Sequence, residues 1–97
     1  MNINMLMNQA KRMQAEMEKK QAEFNGKIFE KKFNGGAITL KMKGNYTIQS
    51  IEIDKDLLDP QEKDILEDMI KVSVNEMIKD IKKAAEVAMP SKPGLGF

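Results

Sequence analysis

The stretch that decides the fold lies in the middle of the chain, where residues 34–53 read NGGAITLKMKGNYTIQSIEI. Over residues 38–43 apolar and polar side chains alternate, and this period of two predicts a strand with one buried face. The Gly44-Asn45 pair predicts a hairpin turn, and residues 46–53 predict the strand that follows it. Because so short a turn joins antiparallel neighbours, we expect these two strands to pair antiparallel.

The second of these strands contains an irregularity. Ile48 and Ile51 are three residues apart, whereas Ile51 and Ile53 are two apart, so strict alternation would place them on different faces. An extra residue near Gln49-Ser50, a β-bulge, would bring all three isoleucines to one face. The sequence therefore predicts a bulge at this position.

A weaker strand precedes the central stretch. Residues 27–33 place Phe29 and Phe33 on one face, and residues 34–36, Asn-Gly-Gly, predict a turn into the next strand. The three strands together predict a three-stranded antiparallel meander.

The first helix is expected from about Asn2 to Phe24. Its apolar residues recur at alternating spacings of three and four, which is the pattern of a narrow seam for one partner helix. The seam consists of Ile3, Leu6, Ala10, Met13, Met17 and Phe24. Asn25-Gly26 predicts a left-handed residue that ends the helix.

The second helix has clear start and stop signals. Asp59 is the expected N-cap, Pro60 the first helical residue, and Glu62 completes a capping box. An apolar stripe continues to Pro90, which closes the helix after about 30 residues. The fold class is therefore α+β with the order α-β-β-β-α, a single domain over residues 1–89 and a flexible Gly- and Pro-rich tail over 90–97.

The lengths of the helices suggest how they are arranged. Each is longer than the sheet, so we expect two antiparallel helices, packed seam against stripe, that project beyond it. The acidic residues 54–68 would then stay near the sheet, and basic residues would collect on the projecting part. These candidate DNA-binding residues are Lys11, Arg12, Lys71, Lys79, Lys82 and Lys83.

Composition excludes several classes of function. The 97 residues include no cysteine and no histidine, which removes thiol and imidazole catalysis and the commonest metal ligands. Asp54, Asp56, Asp59 and Glu62 lack the central glycine and spacing of a calcium loop. We therefore expect no enzyme activity, no cofactor, no metal and no small-molecule substrate. No run of 18 apolar residues exists, so we expect a cytoplasmic protein without a membrane partner.

Charge and core size indicate the partners. Sixteen basic and fifteen acidic residues nearly cancel, but residues 1–34 carry a net +3 and residues 54–80 a net −5. All basic residues except Arg12 are lysines, which suit phosphate better than base edges. Arg12 is equally compatible with reading guanine and with pairing to Glu16 within its own helix. A chain this short buries a small core, which favours a homodimer.

The motifs resemble those of one bacterial family. They run GGAITL at 35–40, KGN at 43–45, IEID at 51–54, LLDP at 57–60, LEDMI at 66–70 and VNE at 74–76. Their order and spacing resemble the YbaB/EbfC nucleoid-associated proteins. The resemblance implies a dimer formed through the sheet, helical arms that reach out like tweezers, and DNA binding at the nucleoid in the cytoplasm. The matching motifs are structural, so none of them assigns a DNA contact.

Two hypotheses about function follow. The first is a homodimer that binds double-stranded DNA with low sequence specificity, through lysine–phosphate contacts, in nucleoid organisation or gene regulation. The alternative is a protein–protein interaction module in replication or repair whose helical arms grip a partner, since methionine-rich helices adapt to varied surfaces.

Overall fold

The computed structural model describes residues 2–89 and has two long helices flanking three strands. The elements are α1 (Ile3–Gly26), β1 (Ile28–Phe33), β2 (Ile38–Lys43), β3 (Ile48–Ile53) and α2 (Lys63–Ala88). Three short 3-10 turns lie at Asn34–Gly36, Lys55–Leu57 and Pro60–Glu62. The predicted α+β class and the order α-β-β-β-α are confirmed, whereas the predicted closure at Pro90 and the tail lie outside the described residues.

The strands form one antiparallel sheet in the order β1-β2-β3. The central strand β2 has its apolar side chains Ile38, Leu40 and Met42 buried, as the alternation predicted. Phe33 lies across from Ile38 at one end of the sheet, and Ile28 lies across from Lys43 at the other end. The meander is confirmed.

The predicted bulge is present in β3. Lys41 pairs with Ser50, but the next residue, Met42, pairs with Ile48, so Gln49 is the extra residue. The apolar partners across these two strands are Ile38 with Ile53, Leu40 with Ile51 and Met42 with Ile48. Directly opposed residues share a face, so all three isoleucines lie on the face of the buried β2 residues.

The end of α1 differs from the expectation. The helix begins after Asn2, whose side chain accepts a hydrogen bond from the Asn4 amide at 3.0 Å. It continues through Gly26, and neither Asn25 nor Gly26 has a positive φ. Lys27 is already extended and its amide donates to the Phe24 carbonyl at 3.1 Å, so the chain enters β1 directly. The prediction of a left-handed terminus was therefore wrong.

The start of α2 also differs. Asp59 does cap, accepting from the Gln61 amide at 2.9 Å, and Pro60 is the first residue after it. The turn it caps is a 3-10 turn, because Glu62 departs from helical geometry at φ −108° and ψ 23°. The α-helix proper begins at Lys63 rather than at Pro60.

The core lies between the sheet and the C-terminal half of α2. That helix packs across β2 and β1, and its buried positions begin at Ser73, whose hydroxyl donates to the Met69 carbonyl at 2.7 Å. The buried apolar residues are Phe24, Phe33, Ile38, Leu40, Met42, Met77, Ile81, Ala85 and Met89.

The two helices do not pack against each other within one chain. Among the described residues of α1, only Phe24 is buried. The helix joins the sheet beside Lys43, whereas the segment leading to α2 leaves from Ile53 at the opposite end. Accordingly the molecule extends 72 Å along its longest axis and only 20 Å along the next. The expected packing of the seam of α1 against the stripe of α2 was wrong, because a periodic apolar stripe shows that a helix has a partner without showing which partner.

Candidate nucleic-acid interface

Lys11 and Arg12 lie on the free part of α1. Both side chains are exposed, and the acidic residue nearest to them in sequence is Glu16, one helical turn after Arg12. Phe24 is the point where the helix meets the core. Measured along the helix axis, Lys11 and Arg12 lie about 18–20 Å from Phe24, at 1.5 Å per residue. This basic site is therefore held well away from the sheet of its own chain.

Lys79, Lys82 and Lys83 lie on α2 where that helix covers the sheet. Met77 and Ile81, their neighbours in sequence, are buried in the core, so the lysines fall on the opposite, outward side of the helix. Lys79 and Lys83 are exposed and Lys82 is partly exposed. The expectation that these lysines sit on a projecting arm was wrong, since this half of α2 is the half that the sheet supports.

Carboxylates next to these lysines are held by another residue. The Lys31 ammonium of β1 donates to Asp80 at 2.8 Å and lies 3.9 Å from Glu76. The hydrogen bond to Asp80 raises the pKa of Lys31 above its ordinary value, with smaller contributions from the charges of Asp80 and Glu76. Because these two carboxylates are drawn toward β1, they neutralise the exposed Lys79 and Lys83 less.

Lys71 belongs to a different environment. It is exposed and lies 3.7 Å from Asp68, in the acidic first half of α2, where Lys63 also pairs with Glu67 at 2.8 Å. No residue from 63 to 72 is buried, and only Met69 and Ile70 of these pack against the core, so the acidic start of α2 extends past it. The expectation that the acidic stretch stays against the sheet while basic residues project was therefore wrong for α2.

A single chain does not bring the six predicted residues together. Lys11 and Arg12 extend from one end of the sheet, Lys79, Lys82 and Lys83 lie on its helical layer, and Lys71 lies toward the other end. Any surface that uses them jointly needs a second molecule.

Four further lysines lie on the strands and are not among the six predicted DNA-binding residues. Lys31 points to the core side of β1 between Phe29 and Phe33, a position that its period-two phase would have revealed. Lys32, Lys41 and Lys43 lie on the outer face of the sheet, mixed with Glu30 and Glu52. The period of two predicts the apolar core residues of the strands and gives no role to the lysines between them.

The acidic residues before α2 serve local structure. The Asp54 side chain accepts from the Asp56 amide at 3.0 Å, and Asp59 accepts from Gln61 in the same way. Within residues 2–89, no group of three acidic side chains could hold a metal ion. In the same part of the chain, neither helix has the length and hydropathy needed to cross a membrane.

Exposed apolar residues lie on β3 and on α1, and also at Leu58, Ile65 and Val72 before and along the first half of α2. On β3, Ile48 is 45% exposed and Ile51 39% exposed, although they share the face of the buried β2 residues. On α1, most of the predicted seam and its immediate neighbour are exposed, namely Ile3, Leu6, Met7, Met13 and Met17. Contiguous exposed apolar surface of this kind is typical of an interaction site.

Known proteins resemble this chain over nearly its whole length. Residues 1–93 match the model of the YbaB/EbfC DNA-binding family. The nucleoid-associated protein UUR10_0100 of Ureaplasma urealyticum is 37% identical over 99 residues, covering 100% of this chain and 99% of the relative. The nucleoid-associated protein MYPE8070 of Malacoplasma penetrans is 42% identical over 94 residues, covering 93% of this chain and 99% of the relative.

A solved structure shares the fold. The crystal structure of the uncharacterised protein HP0035 from Helicobacter pylori superposes with a TM-score of 0.74, covering 89% of this chain and 90% of the other. The two sequences are 19% identical, so this likeness concerns the architecture alone.

Proposed function

The chain belongs to the YbaB/EbfC DNA-binding family, whose members are nucleoid-associated DNA-binding proteins rather than enzymes, and on that premise we propose that it binds duplex DNA as a homodimer. Lysine–phosphate contacts supply most of the affinity, so sequence specificity is low. Its place is the nucleoid in the cytoplasm, and its role is nucleoid organisation or gene regulation.

One observation carries the DNA-binding proposal. Lys79 and Lys83 face outward from a helix that the core holds rigidly, while Lys31 draws the nearby carboxylates of Asp80 and Glu76 toward β1. Lysines on a fixed helix face are positioned for phosphates without a large loss of backbone entropy on binding. Lys11 and Arg12 on α1 add a second basic site, whose nearest acidic residue in sequence is Glu16.

A fluorescence anisotropy titration of labelled duplex DNA at two salt concentrations tests this proposal. With about six phosphate contacts per dimer, affinity should fall roughly a thousandfold between about 50 and 200 mM salt. Duplexes of unrelated sequence should bind with similar affinity, because phosphates carry no sequence information. Absence of binding at the lower salt concentration would contradict the proposal.

The homodimer is supported by the uncovered apolar surfaces of β3 and α1. Exposed isoleucines on the core face of a sheet are energetically unfavourable in water, at about 25 cal/mol per Å² of apolar surface, and a second copy would cover them. Light scattering at micromolar concentration should give twice the chain mass of 11.0 kDa. A mass of one chain would refute the dimer.

The alternative is that the exposed methionine-bearing face of α1 binds another protein. Met5, Met7 and Met13 are all more than half exposed, and methionine surfaces adapt to varied partners. Capture of a defined protein that persists after nuclease treatment, together with no direct affinity for duplex DNA, would favour this alternative over DNA binding.

A further inference from the structure

We propose that Lys31 of β1 is a positioning residue for DNA binding, which acts through two carboxylates of α2 and does not contact DNA itself. Its ammonium holds Glu76 and Asp80 at the side of the helix. Lys79 and Lys83, on the outward face of the same helix, thereby stay available to DNA phosphates. This inference rests on the DNA binding of the proposed function and names a residue outside the binding surface that sets its affinity.

Helix geometry gives each of the two carboxylates a lysine partner on α2 itself. Lys79 follows Glu76 by three residues, and Lys83 follows Asp80 by three residues. Residues three apart lie about 60° apart around a helix with 3.6 residues per turn, and oppositely charged side chains at this spacing form ion pairs. Two such pairs within α2 would neutralise both outward lysines.

The structure contains a different set of ion pairs. Asp80 accepts a hydrogen bond from the Lys31 ammonium at 2.8 Å, and a Glu76 carboxylate oxygen lies 3.9 Å from the same nitrogen. Among the ion pairs formed by residues 2–89, none includes Lys79 or Lys83. Both carboxylates are therefore engaged across the gap between helix and sheet rather than along the helix.

Lys31 is restrained in a way that favours this pairing. It lies directly across from Leu40 on the central strand, and Leu40 is fully buried, so the strand register fixes the backbone of Lys31. The Lys31 ammonium also lies 5.5 Å from the centre of the Phe33 ring. A lysine held by its surroundings loses less side-chain entropy on forming an ion pair than an unrestrained surface lysine does. The carboxylates therefore pair with Lys31 in preference to the lysines of α2.

Removal of the Lys31 charge should consequently weaken DNA binding through other residues. Glu76 and Asp80 would turn to Lys79 and Lys83 and compete with phosphate for them. A phosphate contact contributes roughly tenfold to the affinity near 50 mM salt, because log K changes by about 0.9 per contact for each tenfold change in salt. Partial loss of two contacts is a measurable effect.

Anisotropy titration of labelled duplex DNA at about 50 mM salt measures the effect in two neutral variants, Lys31→Gln and Lys31→Met. The methionine keeps an aliphatic chain beside Phe33, so the two variants test the charge in different packing environments. Both should bind DNA at least about fivefold more weakly than the wild type. The matched control is Lys32→Gln, which makes the same change in net charge on the outer face of the same strand and should bind within about twofold of the wild type.

A second titration tests whether Lys31 acts through the lysines of α2. Lys31→Gln is combined with Lys79→Gln/Lys83→Gln and compared with that double variant. Because no lysine is left there for the carboxylates to neutralise, the added Lys31→Gln change should alter the affinity by no more than about twofold. A loss as large as the one in the wild-type background would show that Lys31 binds phosphate directly, and the proposal would be overturned.

Removal of the carboxylates separates positioning from a purely structural role. The triple variant Lys31→Gln/Glu76→Gln/Asp80→Asn lacks the same ion pairs as Lys31→Gln, so a structural role predicts no recovery of DNA binding. The proposed role predicts recovery to within about twofold of the wild type or better, and Lys31→Arg should also bind like the wild type. A triple variant that binds as weakly as Lys31→Gln overturns the proposal. Circular dichroism verifies that each variant folds.

Failure of this inference is distinguishable from failure of the proposed function. If the wild-type protein does not bind duplex DNA at about 50 mM salt, the proposed function is wrong, and the role of Lys31 is wrong with it. If the wild type binds and both neutral variants at residue 31 bind within about twofold of it, only the role of Lys31 is wrong.

Discussion

At the scale of single residues, Gly44 is the position where the fold tolerates no side chain. A Cβ there would overlap the Phe24 carbonyl oxygen and come within 2.8 Å of the Phe24 carbonyl carbon. These are backbone atoms of the last turn of α1, so they cannot move aside as a side chain could. The residue is glycine because α1 passes directly over the hairpin, and the φ of Gly44 is not positive.

Gly44→Ala should therefore lower the free energy of unfolding by about 1–3 kcal/mol, the usual cost of overpacking. Urea titration at fixed protein concentration measures it. Gly26→Ala is the matched control, because a Cβ at residue 26 meets nothing within 4 Å, and alanine in a helix is favoured over glycine by up to about 1 kcal/mol. Equal stability of the two variants would show that the close contact is absent.

A pH-dependent contribution to stability is expected from Lys31. Its folded-state pKa is raised above 10.5, chiefly by the hydrogen bond to Asp80, so the ammonium stabilises the folded state below that pH. The contribution is lost as the pH rises through the folded-state pKa.

Asp80→Asn should thus lower the thermal midpoint at pH 8. The difference in thermal midpoint between this variant and the wild type should become smaller above pH 10.5. Differential scanning fluorimetry across this range measures the difference. Asp64→Asn, on the exposed start of the same helix, is the control and should show no such narrowing. If the difference in thermal midpoint between Asp80→Asn and the wild type stays the same at every pH, the assigned ion pair is contradicted.

At the scale of elements, the bulge at Gln49 determines which side chains of β3 lie on the core side of the sheet. Gln49 lies outside the register, so removing it leaves Ile48, Ile51 and Ile53 on their present face. Removing Glu52 instead shifts Ile53 to the opposite face, because successive residues alternate.

Deletion of Gln49 should therefore change the free energy of unfolding by no more than about 1 kcal/mol, whereas deletion of Glu52 should cost clearly more. Chemical denaturation and light scattering of the two proteins provide the comparison, and the Glu52 deletion should also weaken the dimer. If the Gln49 deletion lowers the free energy of unfolding more than the Glu52 deletion does, the fold depends on the twist of the bulge rather than on its register.

At the scale of the whole molecule, the position of the charges should matter more than their number. Lys79→Glu/Lys83→Glu reverses two charges on the proposed DNA surface, and Lys55→Glu/Lys63→Glu makes the same change in net charge within the acidic segment. We expect the first variant to bind duplex DNA at least tenfold more weakly at about 50 mM salt and the second within twofold of wild type. Anisotropy titrations with two unrelated duplexes measure both, and equal losses would refute the assigned surface.

The limits of sequence reasoning are clearest in α2. Its apolar stripe predicts a buried face along the whole helix and a position beside α1, but only the residues from Ser73 onward include buried ones. The structure places the C-terminal half, with Met77 and Ile81, on the sheet instead. Periodicity is a property of one segment, while the choice of partner depends on which surfaces the connections bring within reach.

The amino-acid order by itself determined the secondary structure of this protein: the buried alternation of Ile38, Leu40 and Met42, the bulge at Gln49, and the cap at Asp59. These features depend on contacts between near neighbours, so the local sequence contains the necessary information. Only the tertiary structure decided that α1 extends alone and that Lys79 and Lys83 lie on the sheet layer. Those outcomes depend on which end of the sheet each connection leaves from, a geometric fact that no local pattern contains.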